Sequence, residues 1–421
     1  MNIAYKINKK VEIVHLELKS LLEITQAINQ NLPENDLFKI FQFTLLANLN
    51  IQKLCLCIRN ENEEWDCKVK HGLEYDPDLN ELKRRFDKLD KIAELNMNSD
   101  NFFDKEFKFA VPVIHKKKPL AIIFIELKDN GAKTEKPQEI LEFVQTLGNV
   151  IMVAVENKKL ARKEIMQQAI RESLRKELEI ARNVQNYLFP DFLPSSGIVQ
   201  CFASYLPHET VGGDYYDYIP LSHGRFLICI ADVSGKGIPA ALLMSNFQAS
   251  LRTLARRAID LEEMVHELNF QIKQNAKGEH FITVFIALFD PNTKELSYVN
   301  AGHNPPIFIN GSMKSQMLEA GTTILGFFDP LPFIDAVKIT DVDNFLIFTY
   351  TDGLTEAMNA NDEQYGIERI EKYVSENVSV GLDQLHKGLL NEIQLFKGKL
   401  AYHDDLTILS CRVSTTAGDE S

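Results

Sequence analysis

Four short acidic motifs in the second half of the chain constrain its fold most: Gly212-Gly213-Asp214, Ala231-Asp232-Val233-Ser234-Gly235-Lys236-Gly237, Thr351-Asp352-Gly353 and His403-Asp404-Asp405-Leu406-Thr407. Asp232 follows the apolar run Phe226-Leu227-Ile228-Cys229-Ile230, and Asp352 follows Phe345-Leu346-Ile347-Phe348-Thr349-Tyr350. Both carboxylates therefore stand where a buried strand gives way to a glycine-containing turn. Strand ends deliver side chains to one rim, and carboxylates gathered there repel one another and raise each other's pKa. Hard divalent cations compensate such a cluster.

The chain of 421 residues is long enough for two or three domains, each burying its own core. A formal net charge of −13 argues against a nucleic-acid partner, which demands basic patches. No unbroken apolar stretch reaches the length of a membrane span, and Met1-Asn2-Ile3-Ala4-Tyr5-Lys6 lacks the apolar core of a signal peptide. The expectation is a soluble, cytoplasmic protein without membrane insertion. Cys55, Cys57, Cys67, Cys201, Cys229 and Cys411 have no zinc spacing and no disulfide framework, so all six are expected to be reduced.

Three segments follow one another. Residues 1–155 read as a small α/β unit: Leu18, Leu21, Leu22 and Ile28 recur at helical spacing, and Ile51 to Ile58 alternates as a strand. Phe109-Ala110-Val111-Pro112-Val113-Ile114 and Leu120-Ala121-Ile122-Ile123-Phe124-Ile125 flank the basic turn from His115 to Pro119 and predict an antiparallel hairpin, and a helix from Pro137 to Val155 closes the unit. Residues 156–190 predict a helical linker. Met166, Ile170, Leu174, Leu178, Ala181, Val184 and Leu188 form an apolar stripe among charged residues, which favours a parallel coiled-coil homodimer over packing on its own domain. Pro190 and Pro194 end it. In residues 191–421, strands alternate with two long helical segments, one after Pro239 and one from Leu261 to Ala276, predicting two sheets between helical layers.

The motifs, together with Glu179-Ile180-Ala181-Arg182-Asn183-Val184-Gln185 and Asn300-Ala301-Gly302-His303-Asn304-Pro305-Pro306, resemble those of SpoIIE/RsbU-type serine phosphatases of the PPM (protein phosphatase 2C) superfamily, from about Glu177 to Val413. The order of elements before them resembles a GAF-like sensor domain. The fold class implied is α+β: a C-terminal αββα sandwich, an N-terminal GAF-like α/β domain and a connecting helix. The resemblance assigns Asp232 as a carboxylate bridging two ions, with the Val233 carbonyl beside it, Asp214 on one ion, and Asp352 and Asp404 on the other. Asp405 is left as an outer group or an alternative to Asp404. All-oxygen ligation suits two Mn²⁺ or Mg²⁺ ions and disfavours zinc. Such a pair lowers the pKa of a bridging water and holds phosphoryl oxygens.

One departure stands out within this resemblance. The wider superfamily carries a histidine shortly after the bridging Asp, where this chain has Ser234, so the general acid is unassigned; the SpoIIE/RsbU branch shares the Ser-Gly-Lys-Gly pattern. Lys236 either approaches substrate phosphate or caps the turn. Asp217 reads as a surface or outer carboxylate rather than a ligand, and His303 as a turn residue whose ring bonds backbone rather than an acid. Cys55 and Cys57 read as core filling rather than a metal or redox sensor; Trp65 lines a pocket or packs a loop. Gly212-Gly213-Asp214 alone also fits a diguanylate cyclase signature, but Tyr215-Tyr216 replaces the acidic pair required there.

The expected function is metal-dependent dephosphorylation of phosphoserine or phosphothreonine on a partner protein, with a STAS-domain anti-sigma factor antagonist as the substrate implied by the resemblance. The N-terminal domain, responding to an unknown signal, is expected to govern activity through the linker, with the helix after Pro239 as the regulated element. The rival readings are a catalytically silent scaffold and a sensor whose output is dimerisation.

Overall fold

The computed structural model describes residue 15 and residues 18–60, 62–96, 100–115, 118–128, 137–257, 260–311 and 315–414. Leu16, the first six residues, and Lys116 and Lys117 of the basic turn lie outside the described residues. The chain divides into two compact units, Met1–Ile170 and Arg171–Ser421. Among the described residues, no helix is long and apolar enough to cross a membrane.

The first unit is built on an antiparallel sheet of β1 (Ile51–Arg59), β2 (Trp65–His71), β3 (Ala93–Glu94), β4 (Phe109–His115) and β5 (Lys118–Leu127), in the order β2-β1-β5-β4-β3. Alternation along β1 sends Leu54, Leu56 and Ile58 to one face and Cys55 and Cys57 to the other. Leu54, Leu56 and Ile58 meet α1 (Glu34–Asn48) through Leu37, Phe41 and Leu45. The opposite face packs under α2 (Leu79–Phe86) and α3 (Phe102–Glu106) in an aromatic cluster of Phe86, Phe103, Phe107 and Phe124. Trp65 belongs to this cluster, its Nε1 donating to Asp87 Oδ1 at 3.3 Å. It packs rather than lining an open pocket.

Two expectations are corrected in this unit. The closing helix and the linker are a single helix, α4 (Pro137–Asn186), because no residue between them interrupts helical hydrogen bonding. Along it Ile165, Met166, Ile170, Leu174, Ile180 and Val184 are all more than half exposed. The cysteines are not all reduced: Cys57 and Cys67 form a disulfide. Antiparallel pairing places them opposite each other, a contact between strands that linear spacing does not reveal.

The second unit contains two sheets. One holds β7 (Tyr215–Pro220), β8 (Phe226–Val233), β9 (Ile282–Asp290), β10 (Glu295–Ala301) and β13 (Gly321–Thr322) in the order β13-β10-β9-β8-β7, with β14 (Val337–Ile339) also paired to β10. The other has the order β12-β11-β15-β16-β6, made from β6 (Val199–Leu206), β11 (Ile307–Asn310), β12 (Ser315–Met317), β15 (Asn344–Tyr350) and β16 (Leu406–Ser414). Phe226, Phe285, Phe289, Phe345 and Leu409 fill the space between the sheets. Each such aromatic contributes about 1.5–3 kcal/mol by leaving water.

Helices α5 (Gly237–Ala255) and α6 (Leu261–Ala276) cover the first sheet through Met244, Phe247, Leu251 and Leu268. The layers are αββα. The far layer adds α8 (Ile367–Glu376) and α9 (Leu382–Lys397), reached after the single-turn α7 (Asp352–Thr355), and packs Ile370, Leu385 and Leu389 on the second sheet. The sequence reading names only two long helices here and misses this pair.

Candidate metal centre

Four chain segments meet at one end of the sandwich. Tyr215 at the start of β7 pairs with Ala231 near the end of β8, and Tyr350 at the end of β15 pairs with Ile408 near the start of β16. Asp214 and Asp232 thus come from one sheet and Asp352 and Asp404 from the other. The Val233 carbonyl faces the Gly213 turn, where an added Cβ would sit 2.9 Å from its oxygen.

Asp214 is buried. Its Oδ2 accepts hydrogen bonds from Thr351 Oγ1 at 2.8 Å and from Thr407 Oγ1, while Thr407 N–H donates to Thr351 Oγ1 at 2.9 Å. Burial and the neighbouring Asp232 hold the Asp214 carboxyl well above the usual range, opposed by the two threonines. Asp232 is pushed up to about 7, first by burial and then by the charges of Asp352, Asp404 and Asp405. Asp352 is raised by burial, Asp404 and Glu356. Each of these three groups resists ionisation first because it is buried and then because a neighbouring carboxylate lies near it.

The adjacent carboxylates at 404 and 405 are used differently. Asp405 is buried and committed to backbone: Oδ1 accepts from His208 N–H at 2.7 Å and Oδ2 from Gly213 N–H at 2.9 Å. Asp404 is half-exposed, its Oδ1 accepting from Asp405 N–H at 2.9 Å and its Oδ2 lying 2.8 Å from Lys236 Nζ. Two glycines permit this closeness. A Cβ at Gly212 would stand 2.3 Å from Asp405 Oδ2, and one at Gly353 would stand 2.1 Å from the Asp405 carbonyl oxygen.

Lys236, just before α5, also donates to the His403 carbonyl, so it ties the Asp232 turn to the 403–405 segment. Ser234 is fastened on both sides: its Oγ accepts from Phe281 N–H and its carbonyl lies 2.8 Å from His280 Nδ1. His280 escapes sequence reading because 46 residues separate it from Ser234. His303 is buried, its Nδ1 2.9 Å from Thr283 Oγ1, and burial lowers it to about 4. Its ring meets a side-chain hydroxyl, and a backbone hydrogen bond at Tyr350 opposes the shift. Asp217 is fully buried, not on the surface: Arg252 Nε donates to Oδ2 at 2.8 Å and Tyr215 Oη donates to the same oxygen. It clamps β7 to α5 and is occupied as an ion-pair partner.

The donor types suit hard cations, although among the described residues no three of these carboxylates bring their oxygens within 4.8 Å of one another. Asp214, Asp232, Asp352, Asp404 and the Val233 carbonyl offer only oxygen, and Lys236 is the one base bonded to these carboxylates among the described residues. Residues 222–414 match the family model described as Stage II sporulation protein E (SpoIIE). Over this segment the C-terminal unit is similar to SpoIIE. Phosphoserine phosphatase RsbU of Bacillus subtilis (strain 168) is 28% identical to it over 249 residues, covering 58% of this chain and 72% of RsbU. Phosphoserine phosphatase RsbP of the same organism is 26% identical over 186 residues, covering 43% of this chain and 46% of RsbP. The fold of the C-terminal unit matches the SiaA-PP2C domain of Pseudomonas aeruginosa with a TM-score of 0.53, at 19% identity, over 58% of this chain and 99% of that one.

Proposed function

We propose that this protein is a metal-dependent serine/threonine phosphatase acting on a phosphorylated partner protein. The observation that carries the reading is Asp232: its carboxyl is lifted to about 7 by burial and by carboxylates drawn from two distant segments, Asp352 and the pair Asp404 and Asp405. A fold stabilised for its own sake would not gather these charges with a single lysine among them.

In this reading Asp214, Asp232, Asp352 and Asp404, with the Val233 carbonyl, hold two Mn²⁺ or Mg²⁺ ions. When bound, such ions supply a hydroxide-like water at neutral pH and a clamp on phosphoryl oxygens. The chain's own contribution is placement. Thr351 and Thr407 orient Asp214, Asp405 fixes the Gly213 turn, and Lys236 holds the 403–405 segment against the Asp232 turn.

The phosphoserine phosphatases RsbU and RsbP support a phosphoprotein substrate, and a STAS-domain antagonist in a partner-switching pathway is the substrate proposed. We assign the N-terminal unit a GAF-like sensing role in the cytoplasm, acting through α4, whose exposed apolar stripe supports a parallel homodimer. The test is Mn²⁺-dependent release of phosphate from a phosphoserine protein by the full chain beside Asp232→Asn. Equal turnover by the two proteins would remove Asp232 from the site and the reading with it.

A further inference from the structure

Three cysteines of the N-terminal unit converge beneath α2 and α3. Cys55 and Cys57 project from the same face of β1, and the Cys55 Sγ lies 3.5 Å from the Cys57 Sγ. Cys67 reaches them from β2 because the register shifts between Leu56 and Cys57: Val69 pairs with Leu56, Cys67 pairs with Cys57, and Lys68 is the extra residue. This bulge re-aims the strand, sending Val69 to the opposite core and Cys67 to the cysteine face. All three sulfurs lie within 4.8 Å of one another.

Two chemistries suit such a cluster: a thiophilic metal ion or a reversible disulfide. A metal would require three thiolates in an apolar setting, and burial pushes the Cys55 thiol up to about 12 with only Lys70 acting against it. Among the described residues no His, Asp or Glu joins the group as the fourth ligand that zinc takes. A disulfide, by contrast, leaves the cluster neutral in both oxidation states. Access also favours it, since Cys57 is buried on β1 while Cys67 is partly exposed on the edge strand β2.

We propose that Cys57 and Cys67 form a reversible redox modification site, closed by small-molecule disulfides and opened by small thiols. In the closing direction the Cys67 thiolate attacks a sulfur of the oxidant RSSR, forming a mixed disulfide and releasing one RS⁻. Cys57 then attacks the Cys67 sulfur, forming the Cys57–Cys67 bond and releasing the second RS⁻. The two protein thiols lose two electrons and two protons, and two RSH are formed. Cys55 stays a protonated thiol and does not enter the pairing. The site is independent of the phosphatase reading.

The full chain would be equilibrated in mixtures of reduced and oxidised glutathione, quenched with N-ethylmaleimide in denaturant so that buried thiols also react, and mapped by peptide mass spectrometry. The expected result is one linked peptide pair, Cys57 with Cys67, that forms at the oxidising end and disappears at the reducing end. Cys67→Ser should abolish it and Cys55→Ser should retain it; if a variant fails to fold, the wild-type map still decides, because Cys55 must remain alkylatable throughout. A bond that never forms, one that persists at the reducing end, or a linkage through Cys55 overturns the proposal. So does stoichiometric uptake of Zn²⁺ by the reduced chain that is lost in Cys55→Ser.

Discussion

Gln185, near the end of α4, spends its whole side-chain amide on one residue. Its Nε2 donates to the Gly212 carbonyl at 2.7 Å and its Oε1 accepts from Gly212 N–H at 3.2 Å. The long helix is therefore bonded to the turn that presents Asp214. Gln185→Ala leaves a buried donor and acceptor unpaired, at a cost of about 1–3 kcal/mol for each group left without a partner. The expected outcome is a lower unfolding midpoint together with weaker Mn²⁺ binding, read by denaturant titration and calorimetry. Loss of stability with unchanged Mn²⁺ affinity would detach this contact from the site.

Asp232→Asn should abolish turnover, yet the metal-free variant should be more stable than the wild type. The wild-type carboxyl ionises near 7 when folded and near 3.8 when unfolded. Between these values the folded state holds the extra proton, so wild-type stability falls as pH rises through the window. The asparagine removes that penalty. Thermal unfolding in EDTA across this window should give converging midpoints at low pH and a higher midpoint for the variant at neutral pH.

Arg252→Ala should destabilise the C-terminal unit by about 3 kcal/mol, because Asp217 would remain buried without its cation, holding only neutral donors from Tyr215 Oη and Tyr218 N–H. Replacing both residues, as Asp217→Asn with Arg252→Met, should recover part of the loss. A double-mutant cycle measured by urea unfolding checks the coupling; additive effects would show that the two side chains act separately.

Acid should weaken the same unit. His386 is buried with Ser204 Oγ 3.0 Å from Nδ1 and Ser410 Oγ 2.7 Å from Nε2, and burial lowers its pKa from 6.5 to about 3. Below pH 6.5 the unfolded chain takes up a proton that folded His386 refuses, so stability declines toward pH 3. The slope is about 1.4 kcal/mol per pH unit from this group. His386→Asn should flatten the decline measured by unfolding at successive pH values, and an unaltered slope would refute the assignment.

The stripe on α4 yields a fifth expectation. Leu174→Glu should convert a dimer to a monomer in light scattering, since Leu174 is 53% exposed and costs the isolated chain little. A wild-type monomer at micromolar concentration would rule out the dimer.

How much of this was legible in the sequence depended on range. Helix α6 has the predicted limits Leu261 to Ala276, because its apolar spacing and the Asp260 cap are local signals. The strands leading to Asp232 and Asp352 were equally plain from their apolar runs. Helices α8 and α9 escape a motif-based expectation because the amphipathic stretch after Gly366 carries no motif. Asp405 was left open beside Asp404, since which of two neighbours turns toward Gly213 N–H is decided by a contact 192 residues away. The Cys57–Cys67 pairing depends on a one-residue bulge that no spacing rule reveals.

Asp405 fastens His208 and Gly213 through hydrogen bonds that do not involve an ion. The rim is consequently assembled during folding rather than at loading. If the proposed ions bind there, their exchange should proceed at a rate set by dehydration of the incoming cation and without unfolding of the chain.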